Sequence, residues 1–134
     1  MRSTRIVTSF IKDNDKFLLL KRSDKVKTMK GLWAGISGVI EKDEEPIIRA
    51  KIEIYEELGI TEDKIKFLKA AAKMKVHSPQ YENHEWEIFP FLFEAEDPTI
   101  KLNWENSEYK WITIDEIDNY QTVPSIDKVL FSLL

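Results

Sequence analysis

Between Glu44 and Leu58 the chain changes its periodicity, and no other feature constrains the fold as strongly. The stretch "EEPIIRAKIEIYEEL" places Ile47, Ala50, Ile54 and Leu58 at helical spacing, with Ile48 and Tyr55 beside them, so the expectation is a helix with a broad apolar stripe. Pro46 suits the first turn of such a helix, and Gly59 suits the left-handed position just past its end. The flanking segments alternate or run continuously apolar instead. A punctuated helix set between early and late strands predicts a mixed sheet covered by helices, an α/β (α+β) layered fold.

The strands follow from the same reasoning. "RIVTSFI" (residues 5–11) and "KFLLLKR" (16–22) predict an opening hairpin, the second run being apolar enough for burial on both faces. "AGISGVIE" (34–41) reads as a short strand whose small residues admit a close approach of backbone or ligand. Two long strands are expected over 65–76 and 84–94, joined by the turn-prone "HSPQYEN". After "EDP" come a further strand, "SEYKWITI", a short helix at "IDEIDNY", and a C-terminal helix with Pro124 near its start. No internal repeat or linker is present, and residues 1–134 are expected to form one domain.

The helix also carries an electrostatic anomaly. Seven of the 23 residues from Gly38 to Ile60 are acidic. At about 100° per residue and with Glu53 at zero, Glu56 falls near 300° and Glu57 near 40°, so three carboxylates share a face. Like charges at this spacing cost roughly 0.2–0.5 kcal/mol per pair, and the dipole at the helix C-terminus disfavours them further. Periodicity alone leaves open a solvated acidic face or a site for a hard cation such as Mg²⁺ or Mn²⁺, which takes one or two carboxylates together with phosphate and water.

Composition narrows the chemistry. Without cysteine there is no disulfide, thiolate catalysis or thiolate-held metal, so any metal ligand must be oxygen or histidine. A net charge of −4 argues against a protein that coats a nucleic-acid polymer, but it is compatible with a small phosphorylated ligand held through a metal. With no signal-like or membrane-spanning apolar segment, the expected location is the cytoplasm.

The segment Gly38 to Ile60 resembles the signature of the Nudix hydrolases: Gly, five residues, Glu, seven residues, Arg-Glu, an aliphatic, any residue, Glu-Glu, any residue, Gly and an aliphatic. Gly38, Glu44, Glu53, Ile54, Glu56, Glu57, Gly59 and Ile60 fall in register, and "FLLLKRS" and "EYKWITIDEI" look like the segments that flank it. The resemblance implies an α/β/α sandwich with the Glu-rich helix on a mixed sheet. It also implies hydrolysis of a nucleoside diphosphate linked to a further group, by water activated with Mg²⁺ or Mn²⁺. By position, Glu53, Glu57 and the Gly38 carbonyl resemble metal ligands, Glu56 resembles a further ligand or the water-activating base, and Glu41 and Glu44 match acidic positions at the mouth of the loop. One position departs: Ile52 stands where the motif has Arg. Arg49, near 320° on the same wheel, is the candidate to supply that cation from one turn earlier.

The remaining candidates are weaker. Arg22, at the end of its strand, is the candidate for gripping substrate phosphate, because its guanidinium forks onto two oxygens. Trp33 and Trp104 are candidates to stack on a base, while Trp86 and Trp111 lie in strand-like runs that favour core packing. His77 and His84 flank a turn, where solvated histidine is the ordinary case, and Glu94, Glu96, Asp97 and Glu108 are acids near later strands, each a candidate extra ligand or base, with a plain surface position the ordinary case. The expected activity is cleavage of a nucleoside triphosphate to monophosphate and pyrophosphate, with nucleotide sugars or dinucleoside polyphosphates as other substrates. Ile52 favours a non-catalytic nucleotide sensor instead, and the intact glutamates favour the enzyme. Either would act as a monomer or homodimer.

Overall fold

In the computed structural model, which describes residues 2–77 and 83–134, the opening strand β1 (Arg2–Asp13) runs well beyond its apolar centre. It turns through Asn14, at φ 55°, into β2 (Lys16–Arg22), with Asp13 paired to Lys16. Positive φ at the first position of a two-residue turn matches the right-handed twist of the strands, and asparagine tolerates it. β2 is buried on both faces, as its apolar run implies: Leu18 and Leu20 face one core, Phe17 and Leu19 the other.

The expected strand over residues 34–41 is divided into β3 (Trp33–Ala34) and β4 (Ile36–Val39). Its two halves change partner, β3 pairing with β2 and β4 with β1, both antiparallel. The change occurs at Gly35, where a Cβ would lie 2.7 Å from the Ser9 carbonyl oxygen and 3.1 Å from the Phe10 ring. Helix α1 follows at Pro46–Leu58 and ends on Gly59, whose φ of 74° is the left-handed cap that its sequence predicts.

The long strand expected over residues 65–76 is likewise two, β5 (Lys66–Ala70) and β6 (Met74–His77), preceded by a 3-10 turn at Glu62–Lys64. Both pair antiparallel with β7 (His84–Glu94), and their interruption lies opposite Phe89 and Pro90, a proline that lacks the N–H a continuous ladder would use. The turn expected between β6 and β7 falls mostly on residues 78–82, outside the described residues. β7 pairs parallel with β1 from Arg2↔His84 to Lys12↔Glu94, which makes the sheet mixed. β8 (Asn106–Ile112) pairs with β2, a 3-10 turn at Ile114–Asn119 is closed by a Thr113/Glu116 capping box, and α2 spans Ile126–Ser132.

Helices therefore cover both faces of one mixed sheet. Beneath α1 lie Val7, Ile11, Leu18, Leu20, Ile36 and Phe93; beneath α2 and the last 3-10 turn lie Phe10, Phe17, Leu19, Leu92 and Ile112. Ala50, Ile54 and Leu58 are fully buried and hold α1 down, the large side chains contributing about 1.5–3 kcal/mol each. The stripe is rotated from the one its sequence suggested. Ile48 and Tyr55 are 48% and 58% exposed, whereas Glu53 and Glu57 are 8% and 3% exposed. On the helical wheel the buried arc runs about 140° from Glu53 to Leu58, so two carboxylates occupy space that a purely structural helix would give to aliphatic groups. Among the described residues no helix is long and apolar enough to cross a membrane.

Candidate active site

Helix α1 brings Glu53 to the backbone of β4. A Cβ at Gly38 would collide with Cγ and Cδ of Glu53 and stand 2.6 Å from its Oε2, so only glycine leaves room for the carboxylate. The other side of Glu53 is held by Arg49. Its Nη1 donates to Glu53 Oε2 at 3.0 Å, while Nε and Nη2 fork onto Glu44 Oε1 and Oε2 at 2.8 and 3.0 Å. Glu44 Oε1 also accepts the backbone N–H of Glu41 at 3.0 Å, which ties the loop after β4 to the same network. The hydrogen bond from Arg49 holds the Glu44 carboxyl below its ordinary range. Glu53 moves the other way: burial raises its pKa, the bond from Arg49 opposes the rise, and the nearby Glu56 adds to it.

Glu57, one turn on, is deeper and less well served. Its Oε1 accepts a hydrogen bond from Asn106 Nδ2 at 3.1 Å, and its Oε2 is buried with no hydrogen-bond partner among the described residues. Burial pushes its pKa well above the ordinary carboxylate range, with the charges of Glu105 and Glu53 adding to the rise and Asn106 and Arg22 opposing it. Glu56 projects to solvent, so the three glutamates sharing a helical face divide into two buried and one exposed.

Arg22 ends β2 on the same side, its charge felt by Glu57 and Glu105. Its Nε and Nη2 donate to the Thr28 carbonyl at 3.2 and 3.0 Å, fastening the loop after β2, and burial lowers its pKa. A cleft of about 260 Å³ opens beside it, lined among others by Gly38, Val39, Thr8, Ser37, Val76 and Trp86. Thr8 and Ser37 share a hydrogen bond of 3.1 Å. Trp33 is not among the residues lining this cleft. It packs edge-on against Tyr120 at 5.1 Å and belongs to the core beneath α2. Trp86, for which the sequence favours core packing, does pack against that same core, and it also lines the cleft, with its ring edge-on to His84 at 5.0 Å.

The later acids follow the ordinary expectation for such positions. Glu94, Glu96, Asp97 and Glu108 are exposed, and Glu108 pairs with Lys21 at 3.4 Å. Glu105 was missed in the sequence, yet its charge reaches Glu53, Glu57 and Arg22. Asn106 was missed too. The signal for both is the antiparallel pairing of β2 with β8, which sets Arg22 opposite Asn106, and a register between distant strands is not visible in a single sequence. His77 is exposed at the end of β6, and His84 hydrogen-bonds Thr4 at 2.8 Å.

A family model described as NUDIX domain matches residues 2–133. The chain belongs to the Nudix family. Its Nudix box is thus Gly38 to Ile60, with β4, the loop and α1 as its three parts. Solved structures share this fold. A MutT protein from Methanosarcina mazei is 24% identical over 97% of this chain and 91% of its own, with a TM-score of 0.75. A MutT NUDIX hydrolase from Burkholderia pseudomallei is 19% identical over the whole of both chains, with a TM-score of 0.77. An Ap4A hydrolase from C. elegans is 16% identical over 98% of this chain and 94% of its own, with a TM-score of 0.74. No curated protein matches the chain.

A Nudix box suggests a divalent cation, and the donor set can be compared with that requirement. Among the described residues, no group of three or more His, Asp or Glu side chains is arranged to hold a metal ion. What is present is a pair of buried carboxylates, one with an unpartnered oxygen, beside the glycine backbone of β4. That suits Mg²⁺ or Mn²⁺ bound in the phosphate-sharing mode, which needs one or two protein carboxylates and not a complete cage. All the donors are hard oxygens, as this class of cation prefers.

Proposed function

We propose that this Nudix domain, acting as a single domain, is a pyrophosphohydrolase for small nucleotides that works with Mg²⁺ or Mn²⁺. The observation that carries the reading is the buried Oε2 of Glu57, unpartnered among the described residues and one turn from the buried Glu53, whose carboxylate lies against Gly38 of the cleft lining. An unpaired buried carboxylate is costly, and a cation shared with a diphosphate removes that cost. Glu53, Glu57 and the Gly38 carbonyl would hold the cation, with Glu56 as a further ligand. When bound, it would neutralise diphosphate charge and make a water more acidic.

The chain's own groups do the rest. Arg22 faces the carboxylates with its Nη1 outside the bonds to Thr28 and receives a phosphate oxygen, for which guanidinium is well matched. Glu56, the solvent-facing carboxylate, is the alternative base that takes the proton from the attacking water as the phosphoanhydride bond breaks. Glu105 adds negative charge that reaches both Glu53 and Glu57. The organic part of the substrate lies in the apolar cleft against Trp86, where stacking on a base contributes about 1–3 kcal/mol.

Nucleoside triphosphates are the first substrates to test, followed by nucleotide sugars and dinucleoside polyphosphates, the last prompted by the Ap4A hydrolase neighbour. Incubating this panel with Mg²⁺ or Mn²⁺ and scoring phosphate and pyrophosphate release tests the reading. Turnover of a triphosphate to monophosphate and pyrophosphate is expected, with KM raised about tenfold or more in Trp86→Ala and unchanged in Trp33→Phe. Tight nucleotide binding with no turnover of any member would instead establish the sensor that Ile52 favours.

A further inference from the structure

Arg49 is not an ordinary surface arginine: its side chain is only 14% exposed, and its guanidinium bonds two carboxylates on two different parts of the chain. Glu44 takes the fork, and Glu41 and Glu44 lie in the loop after β4; Glu53 lies in the middle of α1. A glutamate side chain in water samples several staggered rotamers. Here Glu53 Oε2 is committed to Arg49 and Gly38 leaves the room the carboxylate occupies, while Arg49 donates no hydrogen bond to Oε1.

We propose that Arg49 is a positioning residue: anchored by Glu44, it holds the Glu53 carboxylate in the orientation that binds a divalent cation. The inference rests on the reading of Glu53 as a cation ligand, and Arg49 acts through Glu53 without touching substrate. It also accounts for Ile52, because the cation beside the first paired glutamate reaches it from position 49.

The sign of the effect separates positioning from simple charge. A guanidinium beside a metal ligand repels the metal, so on charge alone its removal tightens cation binding. Loss of a partner that orients a ligand weakens metal binding by about 10- to 100-fold. The test is Mn²⁺ titration of the full chain, followed by electron paramagnetic resonance of the free ion, for the wild type, Arg49→Ala and Arg49→Lys, with thermal unfolding confirming that each variant is folded. About tenfold weaker binding is expected in Arg49→Ala, with little recovery in Arg49→Lys, which keeps the charge but not the fork. Unchanged or tighter binding in Arg49→Ala, or full recovery in Arg49→Lys, overturns the proposal. If Arg49→Ala does not fold, Arg49→Lys carries the same comparison.

A second readout needs no metal. Releasing Glu44 should speed hydrogen exchange at the Glu41 amide relative to amides of β7, and unchanged exchange at Glu41 would remove the clamp. Failure of the wild-type chain to take up Mn²⁺ would sink the cation-site reading together with the proposal, whereas uptake indifferent to Arg49 would sink the proposal alone.

Discussion

Glu53 and Glu57 stand one turn apart on α1, both buried, and they are provided for in opposite ways. Glu53 has a guanidinium on one oxygen, while Glu57 has a neutral amide on one oxygen and, among the described residues, no hydrogen-bond partner on the other. A buried ion pair with good geometry roughly offsets its desolvation, but a buried charge without a partner does not. The difference separates the two ends of the helix face: Arg49 and Glu44 complete the Glu53 end from within the chain, and at the Glu57 end the proposed cation would do so.

The largest test of this contrast is Glu53→Gln, which keeps the size of the side chain and a bond to Arg49 but removes the charge. It should lower turnover by about 10³-fold, the scale of losing a principal electrostatic contributor, in steady-state assays with the best substrate of the panel. Turnover within tenfold of wild type would place the chemistry elsewhere. Next is Gly38→Ala, whose new methyl group meets the Glu53 carboxylate. Overpacking of this kind costs about 1–3 kcal/mol, read by urea denaturation, and should displace Glu53 enough to impair activity as well.

At the other end, Asn106→Leu takes away the amide bonded to Glu57. Hydrogen bonds to charged groups contribute about 1.5–3 kcal/mol, so the metal-free variant should unfold at correspondingly lower urea, and Mn²⁺ should recover much of the loss. The smallest effect has the opposite sign. The Glu57 carboxyl is raised above its unfolded value, so its protonated form favours folding at low pH, and that contribution is lost as pH rises through the folded pKa. Glu57→Gln should therefore stabilise the metal-free protein at neutral pH by about 1 kcal/mol, the scale of repairing a functional compromise. The gain over wild type should shrink toward pH 4 and reverse in saturating Mn²⁺, as thermal unfolding across pH would record. Equal stability of the two at neutral pH would mean that Glu57 is not the strained member of the pair.

Local signals carried the elements well where the local rule was decisive. Pro46 and Gly59 bracket α1 because their backbone preferences are intrinsic, and Leu18 to Leu20 forecast a strand buried on both faces because apolar surface has no alternative destination. The divided strands were less legible. Gly35 marks a change of partner and Pro90 a missing donor opposite β5 and β6, and both depend on which strands meet. The Nudix box likewise named Glu53, Glu56 and Glu57, but not that the first and third are buried while the second is exposed.

What the sequence determined by itself, then, is the order of elements, the helix that carries the carboxylates, and the substitution of Ile52 with Arg49 one turn before it. These are matters of spacing along one chain. Only the tertiary structure decided the rotation of α1, which turned Ile48 and Tyr55 outward and two glutamates inward, and the meeting of Arg22, Glu105 and Asn106 with Glu57. Burial and charge are properties of what surrounds a group, and here the surroundings of Glu53 and Glu57 come from β2, β4 and β8, strands that adjoin α1 only once the chain has folded.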